Sequence, residues 1–253
     1  MYKRQVEVSK FAIIFLNNKV PTTIGEQFTL IDENIAMIKL RESLSLPINI
    51  QELKQTYGTI LVFTQSKGKD GESKSPRKIT YILFVIKGLR LDPTLRKRYQ
   101  RLRFSSLSIR IRKNIIIVPH FKEKVYANFK YITSPYKLFH FIKKHSDSVN
   151  VIPYLVPTTE TKAFLNEAYR KQYLTDLKRV LQSIRNFKQL IPQISYKRIM
   201  KTLSLLDLRL KVLKERGILL RRLFGVSFKK EYLRVYSSYM RLKKKILLEA
   251  MSV

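Results

Sequence analysis

Apolar and polar positions along the 253-residue chain fall into three differently patterned stretches. In the first, Phe11 to Leu16 is an apolar run of strand length. Asp32 precedes Ile35, Ile38 and Leu44, whose spacing predicts a helix. Asn49 is placed to cap a short helix through Tyr57 that Gly58 stops, and Thr59 to Phe63 reads as a buried strand. Ser66 to Lys78 then carries two Gly, one Pro and no apolar residue, the composition of a linker or of a long hairpin within one domain.

The second stretch has a legible order. Ile79 to Ile86 is rich in β-branched and aromatic residues and predicts a strand. Asp92-Pro93 opens a helix to about residue 104, with Asp as N-cap, and Ser105-Ser106 breaks it. Leu107, Ile109 and Ile111 alternate with Ser108, Arg110 and Arg112, a strand with one basic face. Lys113-Asn114 turns it into Ile115 to Val118, ended by Pro119. Ser134-Pro135 caps a helix through His145, and Val149 to Val156 is a last strand, expected at a sheet edge because Pro153 interrupts it. The order β-α-β-β-α-β is that of the ferredoxin-like module.

The third stretch is helical. Residues 160–190 predict one long amphipathic helix with Phe164, Leu165, Ala168, Leu177, Val180, Leu181 and Ile184 inward, ended by Pro192. Ser195 caps a second, with Ile199, Leu203, Leu206, Leu210 and Leu213 inward, stopped by Gly217. Ser227 caps a third, with Phe228, Leu233, Val235, Tyr239, Leu242 and Ile246 inward. The expected organisation is α+β: a mixed α/β part over 1–65, a linker over 66–78, a ferredoxin-like module over 79–157 and a basic helical bundle or arm over 158–253.

Charge changes this picture. The chain carries 51 Lys+Arg against 18 Asp+Glu, a formal net charge of +33. Residues 1–70 hold nine basic and seven acidic side chains, residues 71–157 hold 19 and four, and residues 158–253 hold 23 and seven. Surface charge of one sign disfavours the compact state unless an anionic partner neutralises it. A surplus of this size points to nucleic acid rather than a membrane surface as partner.

Little points to catalysis. There is no Cys, which excludes disulfides, thiolate metal sites and a thiol nucleophile. The seven Gly form no phosphate-binding loop, and no Ser sits in a GxSxG elbow. His120, His140 and His145 lack the spacing of a metal pair, and Asp32-Glu33 suits the dipole of a helix start. No catalytic residue, metal ligand or cofactor is expected. No apolar run approaches the roughly 18–20 residues that span a bilayer, and no signal-peptide pattern opens the chain. A cytoplasmic protein, associated with nucleoid or ribosome, is expected. High Ile, Lys, Arg and Tyr without Cys fits a thermophile.

ITYILFVIKG, the Arg/Lys-rich helix, the hairpin ending IIIVP and VNVIPYLVP resemble the N-terminal domain of the chromate-resistance regulator family and the related module of phenylacetate-catabolon repressors. The following AFLNEAYRKQYLTDLKRVL is similar to the next helix of those families, with Tyr169 or Tyr173 at mid-helix. The likeness covers about 79–182 and implies a DNA-binding, transcription-linked protein. No chromate-sensing domain or winged helix accompanies it. The small metal-dependent nucleases of CRISPR adaptation share the fold, but they need an acidic residue where this chain reads Val85-Ile86-Lys87-Gly88.

The expected function is non-enzymatic nucleic-acid binding over an extended basic surface, as a DNA-binding regulator or chromatin-associated protein. The alternatives are an RNA-binding, ribosome-associated component of a ribonucleoprotein and, after it, a metal-dependent nuclease. A homodimer through the ferredoxin-like sheet is compatible with this. Candidate phosphate contacts are Arg96, Lys97, Arg98, Arg101, Arg103, Arg110, Arg112, Lys122, Lys124, Lys130, Lys178, Arg179, Lys197, Arg198, Arg221, Arg222, Lys229 and Lys230. Tyr126, Phe129 and Tyr131, interleaved with lysines, are candidates for stacking on unpaired bases, or else close the core beneath a loop.

Overall fold

A computed structural model describes residues 8–15, 28–32, 35–40, 60–66, 80–112 and 114–251 of this mixed α/β chain. It divides into two compact units, residues 1–123 with 133–165, and residues 124–132 with 166–253.

The first unit is built on an eight-stranded sheet. Its strands are β1 (Val8–Phe15), β2 (Phe28–Asp32), β3 (Ile35–Leu40), β4 (Ile60–Ser66), β5 (Thr80–Lys87), β6 (Ile109–Arg112), β7 (Ile115–His120) and β8 (Ser148–Pro157). They lie in the order β2-β3-β1-β4-β8-β5-β7-β6, with every neighbouring pair antiparallel. Tyr81 to Ile86 are buried without a break, so β5 is covered on both faces. On one face Ile82, Phe84, Ile86, Ile116 and Val118 form a core with Leu138 and Ile142 of α3 (Pro135–His145). Tyr99 and Leu102 of α1 (Pro93–Ser105) close its margin. Asp92 starts α1 as its sequence predicts, its carboxylate accepting from the Thr94 and Leu95 amides at 2.7 and 2.8 Å.

Several expectations need correction. The helix expected after Asp32 is strand β3, paired with β1 from Phe15↔Ile35 to Lys10↔Leu40. A six-residue stretch, apolar except for Lys39, is too short to favour a helix, and the sheet supplies its hydrogen bonds. Leu44 and the helix expected from Asn49 to Tyr57 lie outside the described residues, as does nearly all of the segment 66–78. The strands flanking that segment, β4 and β5, both pair with β8, so the expected boundary falls within one sheet. Pro119 does not end β7, because Tyr81↔Pro119 and Thr80↔His120 continue the pairing. β8 lies inside the sheet rather than at its edge. Pro153 is accommodated by an irregularity between the Tyr81↔Leu155 and Leu83↔Ile152 pairs, where a missing N–H costs no ladder bond. In β6 the register slips between Arg110 and Arg112, which oppose the adjacent residues Ile116 and Ile115 of β7. The slip breaks the alternation that put both arginines on one face, and Leu107 (φ 54°) precedes the strand rather than belonging to it.

Helix α2 (Glu123–Asn128) leads into the second unit, whose body is α4 (Thr159–Leu190), α5 (Tyr196–Phe224) and α6 (Lys229–Met251). The first turn of α4 belongs to the first unit, where the Val62 amide donates to the Thr161 hydroxyl at 2.9 Å. A 3-10 turn at Ile191–Gln193, containing Pro192, separates α4 from α5. The predicted inward residues of α5 are all buried. Phe164 and Leu233 are instead exposed, and Tyr169, Tyr173 and Phe187 are buried.

Gly217 does not stop α5. The helix runs on to Gly225, which ends it in the left-handed conformation at φ 77°. Gly217 serves packing instead, since a Cβ there would lie 2.7 Å from the Tyr173 hydroxyl. That hydroxyl donates to the Leu213 carbonyl at 3.0 Å, and Tyr239 donates to the Leu203 carbonyl at 3.3 Å, tying α4 and α6 to α5. Between α4 and α5, Arg216 donates to Asp176 at 2.8 Å in a buried pair.

Candidate nucleic-acid interface

The bundle's long helices repeat their polar positions in stripes. On α6, Arg234, Ser238, Arg241 and Lys245 recur at intervals of four, three and four residues and therefore share one face. On α4, Leu181, Ile184, Arg185 and Lys188 form the matching stripe. With Leu242 these residues line an open groove of about 500 Å³ between α4 and α6.

The groove has two chemical layers. Ile184 and Leu242 are buried at its base, and the five cationic side chains are exposed along its rims. No carboxylate lines it. Among the described residues, Arg185, Lys188, Arg234 and Arg241 make no ion pair. The apolar stems of these long side chains cover the base while their charged ends reach solvent. Cations of one sign held this close repel one another, and a bound polyanion relieves that repulsion.

The residues singled out from sequence are spread over both units and none lines this groove. Arg96, Lys97, Arg98, Arg101, Arg110 and Lys122 are exposed in the first unit, and Arg103 and Arg112 are half-buried there. The Arg98 guanidinium stands over the Phe141 ring at 5.7 Å and that of Arg103 over Tyr99 at 5.8 Å. Arg110 donates through Nε to the Arg112 carbonyl at 3.1 Å. Lys124, Lys130, Lys178, Arg179, Lys197, Arg198, Arg221, Arg222, Lys229 and Lys230 are exposed in the second unit. Arg179 faces Asp176 at 3.6 Å.

The aromatic candidates are already engaged. Phe129 is buried, with the Arg222 guanidinium 5.2 Å from its ring centre, so a base cannot reach it. Tyr131 is half-buried, with the Lys211 ammonium at 5.8 Å from its ring. Its amide donates to the Glu215 carboxylate at 2.7 Å, which binds the segment 124–132 to α5. Tyr126 is half-buried.

Among the described residues no three His, Asp or Glu side chains stand together as metal ligands. No helix among them is long and apolar enough to cross a membrane. Arg234 and Arg241 are not among the contacts expected from sequence, and their seven-residue interval is the signal that marks them. Comparison with protein-family models, with curated proteins and with solved structures finds no match for the chain.

Proposed function

We propose that this chain is a non-enzymatic nucleic-acid-binding protein that holds a phosphate backbone along the groove between α4 and α6. The observation that carries the reading is five exposed cations around one groove with no carboxylate among its lining residues. Phosphates bound there would displace condensed counterions, so affinity would come with a steep salt dependence. Exposed cations on α1 extend the same electrostatic attraction over the first unit. The strand order β8-β5-β7-β6, with α1 following β5 and α3 following β7, supports reading that part of the sheet as a ferredoxin-like module. A transcription-linked role is the form of this reading that the resemblance to the regulator families implies.

The test compares Arg234→Gln/Arg241→Gln with Lys97→Gln/Arg101→Gln, both binding labelled oligonucleotides at fixed salt. Loss of two groove contacts should weaken binding by a similar factor for every sequence tried. The α1 pair should weaken it less. Equal affinity of the groove variant and the unaltered protein would refute the groove as the binding site.

A further inference from the structure

Where β7 ends, β8 is irregular and α3 begins, three aromatic side chains of the first unit meet at the surface. The His120 ring makes edge contacts with Tyr136 at 5.9 Å and 89°, and with Tyr154 at 5.8 Å and 79°. His120 and Tyr154 stand on the two strands flanking β5, so their rings meet across it. Tyr136 is 51% exposed and Tyr154 is 46% exposed. Rings of this size are normally drawn inward unless something rewards their exposure.

The backbone supplies an independent sign. Tyr154 has φ 58°, one of two non-glycine residues at positive φ among the described residues. The other, Leu107, is buried and follows the end of a helix. At Tyr154 the left-handed turn coincides with the irregular pairing beside Pro153 and turns an exposed ring toward His120. A bulge that re-aims a side chain, with strain held at that residue, is a recurrent device of functional sites. Burial lowers the pKa of His120 below its usual 6.5, which favours the neutral imidazole at this position.

We infer that Tyr136, Tyr154 and His120 form a stacking platform for unpaired bases, and hence that the preferred partner is single-stranded nucleic acid or a single-stranded segment of a folded one. This rests on the nucleic-acid reading above and sharpens it. Rings stack on any base, so the platform confers preference for unpaired strands with little sequence preference. Exposed Lys122, two residues after His120, and exposed Lys137, next to Tyr136, would meet the adjoining phosphates. Duplexes present no free base faces and would bind through cations alone.

The test uses Tyr154→Gly, because glycine adopts φ 58° without strain. Thermal melts and duplex affinity are measured for the same variant, so that a loss confined to single strands cannot be assigned to unfolding. Its affinity for a labelled single strand should fall roughly 5- to 150-fold, the worth of one stacked base, while affinity for the matched duplex stays constant. Tyr154→Phe should retain single-strand binding, and Tyr136→Ala should reproduce the selective loss. RNA and DNA strands are run in parallel, and a selective loss with either supports the platform and names the polymer. If single-strand and duplex affinities fall together, or neither falls, the platform is overturned while the groove reading stands. If the unaltered protein binds no strand, both readings fail.

Discussion

Replacing Gly217 by alanine sets two effects of opposite sign against each other. In an ordinary helix interior the change stabilises by about 1 kcal/mol, because glycine loses more backbone freedom. Here the new methyl would sit 2.7 Å from the Tyr173 hydroxyl and 3.3 Å from the carbon that bears it. Tyr173 is fully buried and its ring lies against Phe228, with centroids 4.7 Å apart, so it has no open space to move into. Overpacking of this kind costs about 1–3 kcal/mol. Displacing the hydroxyl also strains its 3.0 Å bond to the Leu213 carbonyl, a bond worth about 1 kcal/mol. The net expectation is destabilisation of about 1–3 kcal/mol. For a chain of this size that lowers the melting temperature by roughly 2–10 °C. Tyr173→Phe removes the clashing atom, so in that background Gly217→Ala should be neutral or stabilising. Urea unfolding followed by far-ultraviolet circular dichroism of the four proteins in the cycle measures the coupling. A Gly217→Ala variant that is more stable than its parent would refute the packing role of Gly217.

Two further outcomes follow from buried charge and from protonation. Asp176→Asn removes the charge of the carboxylate to which the Arg216 guanidinium, 1% exposed, donates, and urea unfolding should report a loss of about 3–5 kcal/mol. Adding Arg216→Met should recover most of it, because an apolar side chain there needs no partner. Burial holds the His120 pKa below 6.5 in the folded chain, so below about pH 6.5 the unfolded chain binds the additional proton and stability falls as pH falls. His120→Gln should flatten that part of the stability profile in thermal melts, and an unchanged profile would count against a desolvated imidazole.

What the sequence made legible follows the range of the interactions involved. Strand β5 and helix α1 were readable because their signals are local: an unbroken β-branched and aromatic run, and Asp92-Pro93 at a helix start. Most buried positions of the three long helices were readable because a 3.6-residue period persists over many turns. Ile35 to Leu40 reads as helix because five apolar residues and Lys39 fit either state until a partner strand is known. Pro153 looked like an edge marker because the irregular pairing that accommodates it depends on β5, distant in sequence. Gly217 looked like a helix stop because its reason is Tyr173, on another helix. The groove was illegible for the same cause. Basic residues occupy most polar positions of the bundle, and only the adjacency of α4 and α6 selects Arg185, Lys188, Arg234, Arg241 and Lys245 from among them. The Tyr136–His120–Tyr154 cluster likewise joins β7, α3 and β8, which no short motif links.

The salt dependence of nucleic-acid affinity tests the central claim most directly. Anisotropy titrations of the full chain between about 50 and 200 mM salt measure the number of phosphates neutralised. Five groove contacts correspond to a logarithmic slope of about −3.5 on single strands and −4.5 on duplex, a loss of roughly 100- to 500-fold over that range. A slope of this size, reduced by about 1.5 in Arg234→Gln/Arg241→Gln, is the predicted result. A flat dependence, or a slope that the groove variant leaves unchanged, would contradict the account.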